Sequence, residues 1–169
     1  KHKIQGLLLI GCMLLAYQVV GEDHATPLER LLTAAYRGDQ EALPKCLAQG
    51  ADIQGKTELG FTALMWAVSG NHPAAVTWLL AKGAKVNEQA YSGVSALMLA
   101  ADQGNTDIIK ALLAKTAQID MQDKFGSTAL FYAATQGHLA VAKLLLERGA
   151  RLDVQTKDGW LPLNAAVYR

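Results

Sequence analysis

Residues 126–149 read GSTALFYAATQGHLAVAKLLLERG, and this stretch decides the fold because much of it recurs along the chain at one spacing. Gly60, Gly93, Gly126 and Gly159 stand 33 residues apart. Leu31, Leu64, Leu97, Leu130 and Leu163 keep that interval, as do Ala34, Ala67, Ala100, Ala133 and Ala166. A second leucine column runs through Leu47, Leu80, Leu113 and Leu146. Several residue types holding one register over four or five copies mark a repeat architecture, in which each unit buries its apolar face against its neighbours.

The residues within a unit predict two helices and a tight turn. Thr62, Ser95 and Thr128 each precede an apolar-periodic run, where a hydroxyl can cap unpaired helix N–H groups. The first helix carries small residues on one face, such as Ala100 and Ala101 or Ala133 and Ala134, so neighbouring helices can approach closely. Gly38, Asn71, Gly104 and Gly137 share the turn position; Gly, and less readily Asn, accepts the left-handed backbone a helix end requires. Ile108, Ile109, Leu112 and Leu113 form the buried stripe of a second helix. That helix ends at Gly50, Gly83 and Gly149, but at Thr116 in the third copy. A β-branched residue there predicts either a different loop conformation or a weak point.

These stretches resemble the ankyrin-repeat family. GFTALMWAV, GVSALMLAA and GSTALFYAA are similar to its G-x-T-P-L-H-x-A-A opening. GNHPAAVTWLLAKGAKVN, GNTDIIKALLAKTAQID and GHLAVAKLLLERGARLD are similar to its second half, and Met121–Gly126 to its connecting hairpin. The likeness runs from Leu28 to the end of the chain. It implies an all-α solenoid of helix-turn-helix units with β-hairpin-like fingers, about four repeats plus a partial fifth. A divergent first repeat, about 28–54, would cap the N-terminal end with Arg30, Arg37, Asp39 and Gln40 outward. The fifth unit begins at Asp158 and reaches only Arg169, which leaves Leu163 and Val167 with no second helix over them. Either the chain carries on past that point or a partner covers that end.

The first residues differ from the repeats. Lys1, His2 and Lys3 make a basic start, and Ile4 to Val20 contains no charged residue, which is the grammar of an export signal. Three readings fit residues 1–21: a signal peptide cleaved before Glu22, a retained membrane anchor, or a lipoprotein signal with Cys12 of Leu9-Ile10-Gly11-Cys12 as the modified residue. All three deliver residues 28–169, after a linker at 22–27, across the inner membrane, most simply to the periplasm. Any membrane association would run through this N-terminal segment alone.

No chemistry emerges from the motifs. A net charge of +1 over 169 residues offers no electrostatic case for nucleic acid. Ser-His-Asp, HExxH and P-loop patterns are absent, and the glycines are accounted for by turns. His72 and His138 lie two periods apart at the position after the turn, a structural placement that does not make a shared metal site. His24 falls in the linker and His2 in the export segment. Cys46 aligns with Leu79, Leu112 and Leu145 and reads as a small core hydrophobe; with two cysteines in all, no disulfide framework organises the fold. The expectation is a non-enzyme with no cofactor and no metal, whose partner is another protein.

Family resemblance implies that this partner docks on the concave face and finger tips. By register the tip columns are Lys56, Gln89, Gln122, Gln155 and Glu58, Tyr91, Lys124, Lys157; beside them run Leu59, Ser92, Phe125, Asp158 and Phe61, Val94, Ser127, Trp160. The first-helix column is Ser69, Asp102, Thr135, Tyr168. From these, Gln89, Tyr91, Asp102, Gln122, Lys124, Phe125, Thr135, Lys157 and Trp160 are the candidate contact residues, with the aromatics as anchors. Phe61 and Trp160 could instead pack between fingers, while Trp66 and Tyr132 sit in a column that reads as core. TALM and SALM in place of TPLH resemble bacterial ankyrins. Three roles stay open: an immunity or self-protection inhibitor of a toxin or cell-wall hydrolase, an accessory protein in oxidative-stress defence, and a secreted effector that binds a host protein.

Overall fold

A computed structural model describes residues 25–167. The export segment, Cys12, His2, His24, Tyr168 and Arg169 lie outside the described residues. Four helix pairs follow one another: α1 (Pro27–Arg37) with α2 (Ala42–Ala48), α3 (Ala63–Ser69) with α4 (Pro73–Ala81), α5 (Ala96–Gln103) with α6 (Thr106–Ala114), and α7 (Ala129–Gln136) with α8 (Leu139–Glu147). A ninth helix, α9 (Pro162–Val167), opens a fifth unit. Among the described residues, no helix is long and apolar enough to cross a membrane.

Each pair starts where the sequence supplies a cap. Thr26 accepts from the Glu29 backbone N–H while the Glu29 carboxylate takes the Thr26 N–H, a closed capping box. Thr62, Ser95 and Thr128 hydroxyls accept from Met65, Met98 and Phe131 N–H groups. Each such cap is worth about 1 kcal/mol. α2 has no side-chain cap on its own N-cap residue; Asp39 instead accepts from the N–H groups of Glu41 and Ala42.

First helices α1, α3, α5, α7 and α9 stack in one layer, and α4, α6 and α8 line up in the other. The core runs unbroken between the layers. Leu31, Leu64, Leu97 and Leu130 are buried in turn, and Ala34, Ala67, Ala100 and Ala133 leave room for the first helices to touch. The column then loses its cover. Leu130 is 2% exposed, but its counterpart Leu163 on α9 is 69% exposed and Val167 is 76% exposed. No second helix lies over them among the described residues.

Fingers project between the pairs. They close as hairpins through Thr57 N–H to Phe61, Ala90 to Val94, Asp123 to Ser127 and Thr156 to Trp160 carbonyls, at 2.9–3.0 Å. Among the described residues two isolated antiparallel bridges result, Lys56 with Thr62 and Gln89 with Ser95. Each hairpin glycine has a φ near 80°, and a Cβ on Gly60, Gly93 or Gly126 would lie 2.7–2.9 Å from the backbone nitrogen of the next finger. Backbone conformation and close approach therefore both demand glycine here.

The turn positions behave as their residue types predict. Asn71 adopts φ 60° and Gly104 φ 79°. Thr116 takes φ 59°, so the loop after Lys115 keeps the common conformation and carries the strain. It is held in place by Asn87, whose side chain donates to the Thr116 carbonyl at 3.2 Å and accepts from Gln118 N–H at 2.8 Å. Gln54 in the same column both donates to the Gly83 carbonyl and accepts from Lys85 N–H, while the Asp120 carboxylate only accepts, from Arg151 N–H.

Candidate partner-binding face

The finger tips form one continuous strip because the backbone of each is bonded to the last. Tyr91 N–H donates to Leu59 carbonyl at 3.0 Å, Lys124 N–H to Ser92 at 3.0 Å, and Lys157 N–H to Phe125 at 2.8 Å. A side-chain ladder reinforces the strip. Lys56 Nζ reaches the Gln89 carbonyl, Gln89 Nε2 the Gln122 carbonyl at 3.0 Å, and Gln122 Nε2 the Gln155 carbonyl at 3.2 Å. Gln89 and Gln122 also donate back to the Gly93 and Gly126 carbonyls of their own fingers. At the N-terminal end Lys56 pairs with Glu88 at 2.7 Å, and this hydrogen bond lowers the Glu88 carboxyl below its ordinary range.

Several of the residues chosen from sequence thus have polar atoms bonded to other residues of the solenoid, although Gln122 itself stays exposed. Gln89 and Gln122 are the ladder. Asp102 accepts from Gln136 Nε2 at 2.7 Å, and the Asp102 carbonyl meets His138 Nε2 at 2.9 Å. Thr135 Oγ1 bonds to the Tyr132 carbonyl one turn back. Ser127, expected outward by register, is buried instead. Asp123 draws that finger inward by accepting from Phe125 and Ser127 N–H groups, both at 2.8 Å. Phe61 and Val94 in the same column are half-buried against the core.

Tyr91, Lys124, Phe125, Lys157 and Trp160 are the candidates whose side chains stand out. Tyr91 is 61% and Phe125 59% exposed, on a chain that buries most of its large apolar groups. Lys124 and Lys157 are exposed, and among the described residues no carboxylate forms an ion pair with either. Aromatic side chains on a rigid, pre-bonded strip lose little freedom on binding, which is what makes such groups effective anchors.

In the column expected to be core, Trp66 is buried and Leu99 and Tyr132 are half-buried against the core, and of the two polar tips that of Tyr132 is hydrogen-bonded. Tyr132 is half-buried and its hydroxyl donates to Asp123 Oδ2 at 2.7 Å. Burial, then the Asp123 carboxylate, pushes the Tyr132 hydroxyl well above the ordinary tyrosine range. The corresponding pair in the second unit is Trp66 with Thr57, whose hydroxyl is already taken by Leu59 and Phe61 N–H groups. Trp66 Nε1 is buried without a partner, and the ring packs edge-on against Tyr36 at 5.6 Å. The pair between them is apolar, Leu99 with Ala90.

His72, His138 and Cys46 are built into the packing. The His72 ring lies where a Cβ on Gly38 would stand, 2.5 Å away, and the His138 ring lies likewise over Gly104. Cys46 is buried on α2, and burial raises its thiol; nearby Arg30 opposes the shift and Asp39 adds to it. Among the described residues, no group of three His, Cys, Asp or Glu side chains could hold a metal ion.

A family model described as ankyrin repeats matches the sequence in three copies, at residues 13–90, 31–123 and 97–169. The chain belongs to the ankyrin-repeat family. No curated protein matches the sequence. Family membership makes this ankyrin chain a protein–protein interaction module, and modules of this kind are typically non-enzymatic.

Proposed function

We propose that this ankyrin-repeat chain is exported across the inner membrane and works in the periplasm as an occluding inhibitor, an immunity or self-protection factor that blocks a toxin or cell-wall hydrolase. The observation that carries the binding face is the exposure of Tyr91 and Phe125 on successive, backbone-bonded fingers. Export rests on the basic start and the uncharged run from Ile4 to Val20. Inhibition by occlusion suits a rigid strip that brings contact surface and no activated nucleophile, since its thiol at Cys46 is buried and raised in pKa.

The test is capture of partners from periplasmic extract with the full chain, followed by assay of a captured hydrolase. Stoichiometric chain should abolish its activity. Tyr91→Ala with Phe125→Ala should weaken the complex at least about tenfold, since each truncated aromatic anchor costs upward of about 1 kcal/mol. A hydrolase that stays fully active when saturated with the chain would rule out inhibition. A phosphatase reporter fused after Arg169 that stays inactive would rule out export.

A further inference from the structure

We propose that the tip strip takes an acidic, extended segment of the partner, with its carboxylates at Lys124 and Lys157 and an apolar side chain held between Tyr91 and Phe125. This deepens the docking reading above and rests on it. The tip column changes character along the solenoid, from Glu58 through Tyr91 to Lys124 and Lys157. All four are exposed, and none of the three charged members is in an ion pair among the described residues.

The other charges near the strip are largely compensated. Lys56 is neutralised by Glu88. Asp123 is buried and bonded to Phe125, Ser127 and Tyr132. Asp102 belongs to α5 rather than to a finger and is bonded to Gln136. Asp158 is an exposed carboxylate adjacent in sequence to Lys157. It stands in the Phe125 column, next to Lys157, while the acid of the tip row itself, Glu58, lies at the opposite end from the two lysines.

Because Lys124 N–H and Lys157 N–H are bonded into the preceding fingers, the two ammonium groups hang from one rigid strip at a one-repeat interval. A partner that meets Tyr91 as well as both lysines must span three successive fingers, which a linear segment does. Opposite charge on that segment would speed encounter and set its direction, acid toward the fifth unit.

The test uses the full chain and three fluorescent peptides that share their apolar residues, one Phe included, and carry Glu, Gln or Lys at the remaining positions. Anisotropy titration should show the Glu peptide binding at least about tenfold tighter than the Gln peptide at about 20 mM salt, with the gap shrinking at about 200 mM. Lys124→Glu with Lys157→Glu should remove that preference, and Lys124→Gln with Lys157→Gln should reduce it. Lys115→Glu with Arg148→Glu, the same change of charge at the ends of α6 and α8, should leave it intact. Equal binding of the three peptides, no saturable binding up to about 1 mM, an equal loss in the control variant, or tighter binding of a single-stranded oligonucleotide would each overturn the proposal. With a captured partner, weakening by Tyr91→Ala and Phe125→Ala but not by Lys124→Glu and Lys157→Glu would refute the acidic segment and leave the docking face standing. No effect from either pair would remove both.

Discussion

Asn105 Nδ2 donates to Asn71 Oδ1 across 2.6 Å, joining two residues that depart from the other repeats together. Elsewhere a glycine at the turn sits under a histidine of the next unit, Gly38 under His72 and Gly104 under His138. The histidine ring fills the space a Cβ would need, at 2.5–2.6 Å. Asn71 brings a Cβ and a carboxamide into that space, and Asn105 is small enough to leave room and polar enough to bond to it. Asn105 also caps α6 by accepting from Asp107 and Ile108 N–H groups.

The pair should therefore behave as one unit. Asn105→His alone should destabilise by about 1–3 kcal/mol through overpacking against Asn71. Asn71→Gly with Asn105→His should recover most of that loss, and a double-mutant cycle by urea denaturation should return a coupling of about 1 kcal/mol or more. Additive effects would show that the two positions are independent.

Thr116 offers a stabilising change. Its left-handed backbone costs a β-branched residue on the order of 1 kcal/mol or more, while Gly50, Gly83 and Gly149 hold the same position in open space, with nothing within 4 Å of where a Cβ would stand. Thr116→Gly should raise unfolding free energy by about 0.5–1 kcal/mol, net of the added chain entropy, because the Asn87 bond goes to the backbone carbonyl and survives. An unchanged or lower urea midpoint at constant m-value would contradict this.

Tyr132→Phe should cost about 1–3 kcal/mol, since it strands a buried oxygen of Asp123. The same contact sets a pH dependence. The Tyr132 hydroxyl is raised in the folded chain, so its contribution is complete below the unfolded tyrosine value of about 10 and is lost as pH rises from there toward the folded value. Denaturation at alkaline pH should show the native chain losing its advantage over the Phe variant above about pH 10. A constant gap across that range would separate the hydroxyl from the stability.

Cys46 should resist alkylation. The thiolate is the reactive form, and the thiol here is buried with its pKa raised mainly by that burial. Iodoacetamide at neutral pH should modify it only as fast as the domain opens, and mild denaturant should accelerate the reaction. Immediate labelling of Cys46 itself, distinguished from Cys12 by peptide mapping, would contradict its burial.

The period, the helix pairs, the caps and the identity of the core columns were legible from residue types, because each is a local demand repeated at a fixed interval. A hydroxyl before an apolar run, a glycine at a left-handed turn and an alanine between close helices mean the same thing in every copy. Two inter-repeat devices also left a trace. Gln89 and Gln122 repeat in one column, and the breaks at Asn71 and Asn105 fall in the Gly and His columns that face each other across the stack.

Tertiary structure decided which outward side chains are hydrogen-bonded within the solenoid. Register places Gln89, Asp102, Gln122 and Ser127 with Tyr91 and Phe125, but it does not say where a polar side chain finds its hydrogen bond. That depends on the distance to the next unit, and stacking puts the neighbouring carbonyls within about 3 Å of the glutamine amides. Half-buried Gln89 and Asp102 take such partners, as does exposed Gln122, while Tyr91, Lys124, Phe125 and Lys157 stay exposed at the edge of the stack. Residue identity and period thus determined the solenoid, and the spacing between stacked units determined its accessible face.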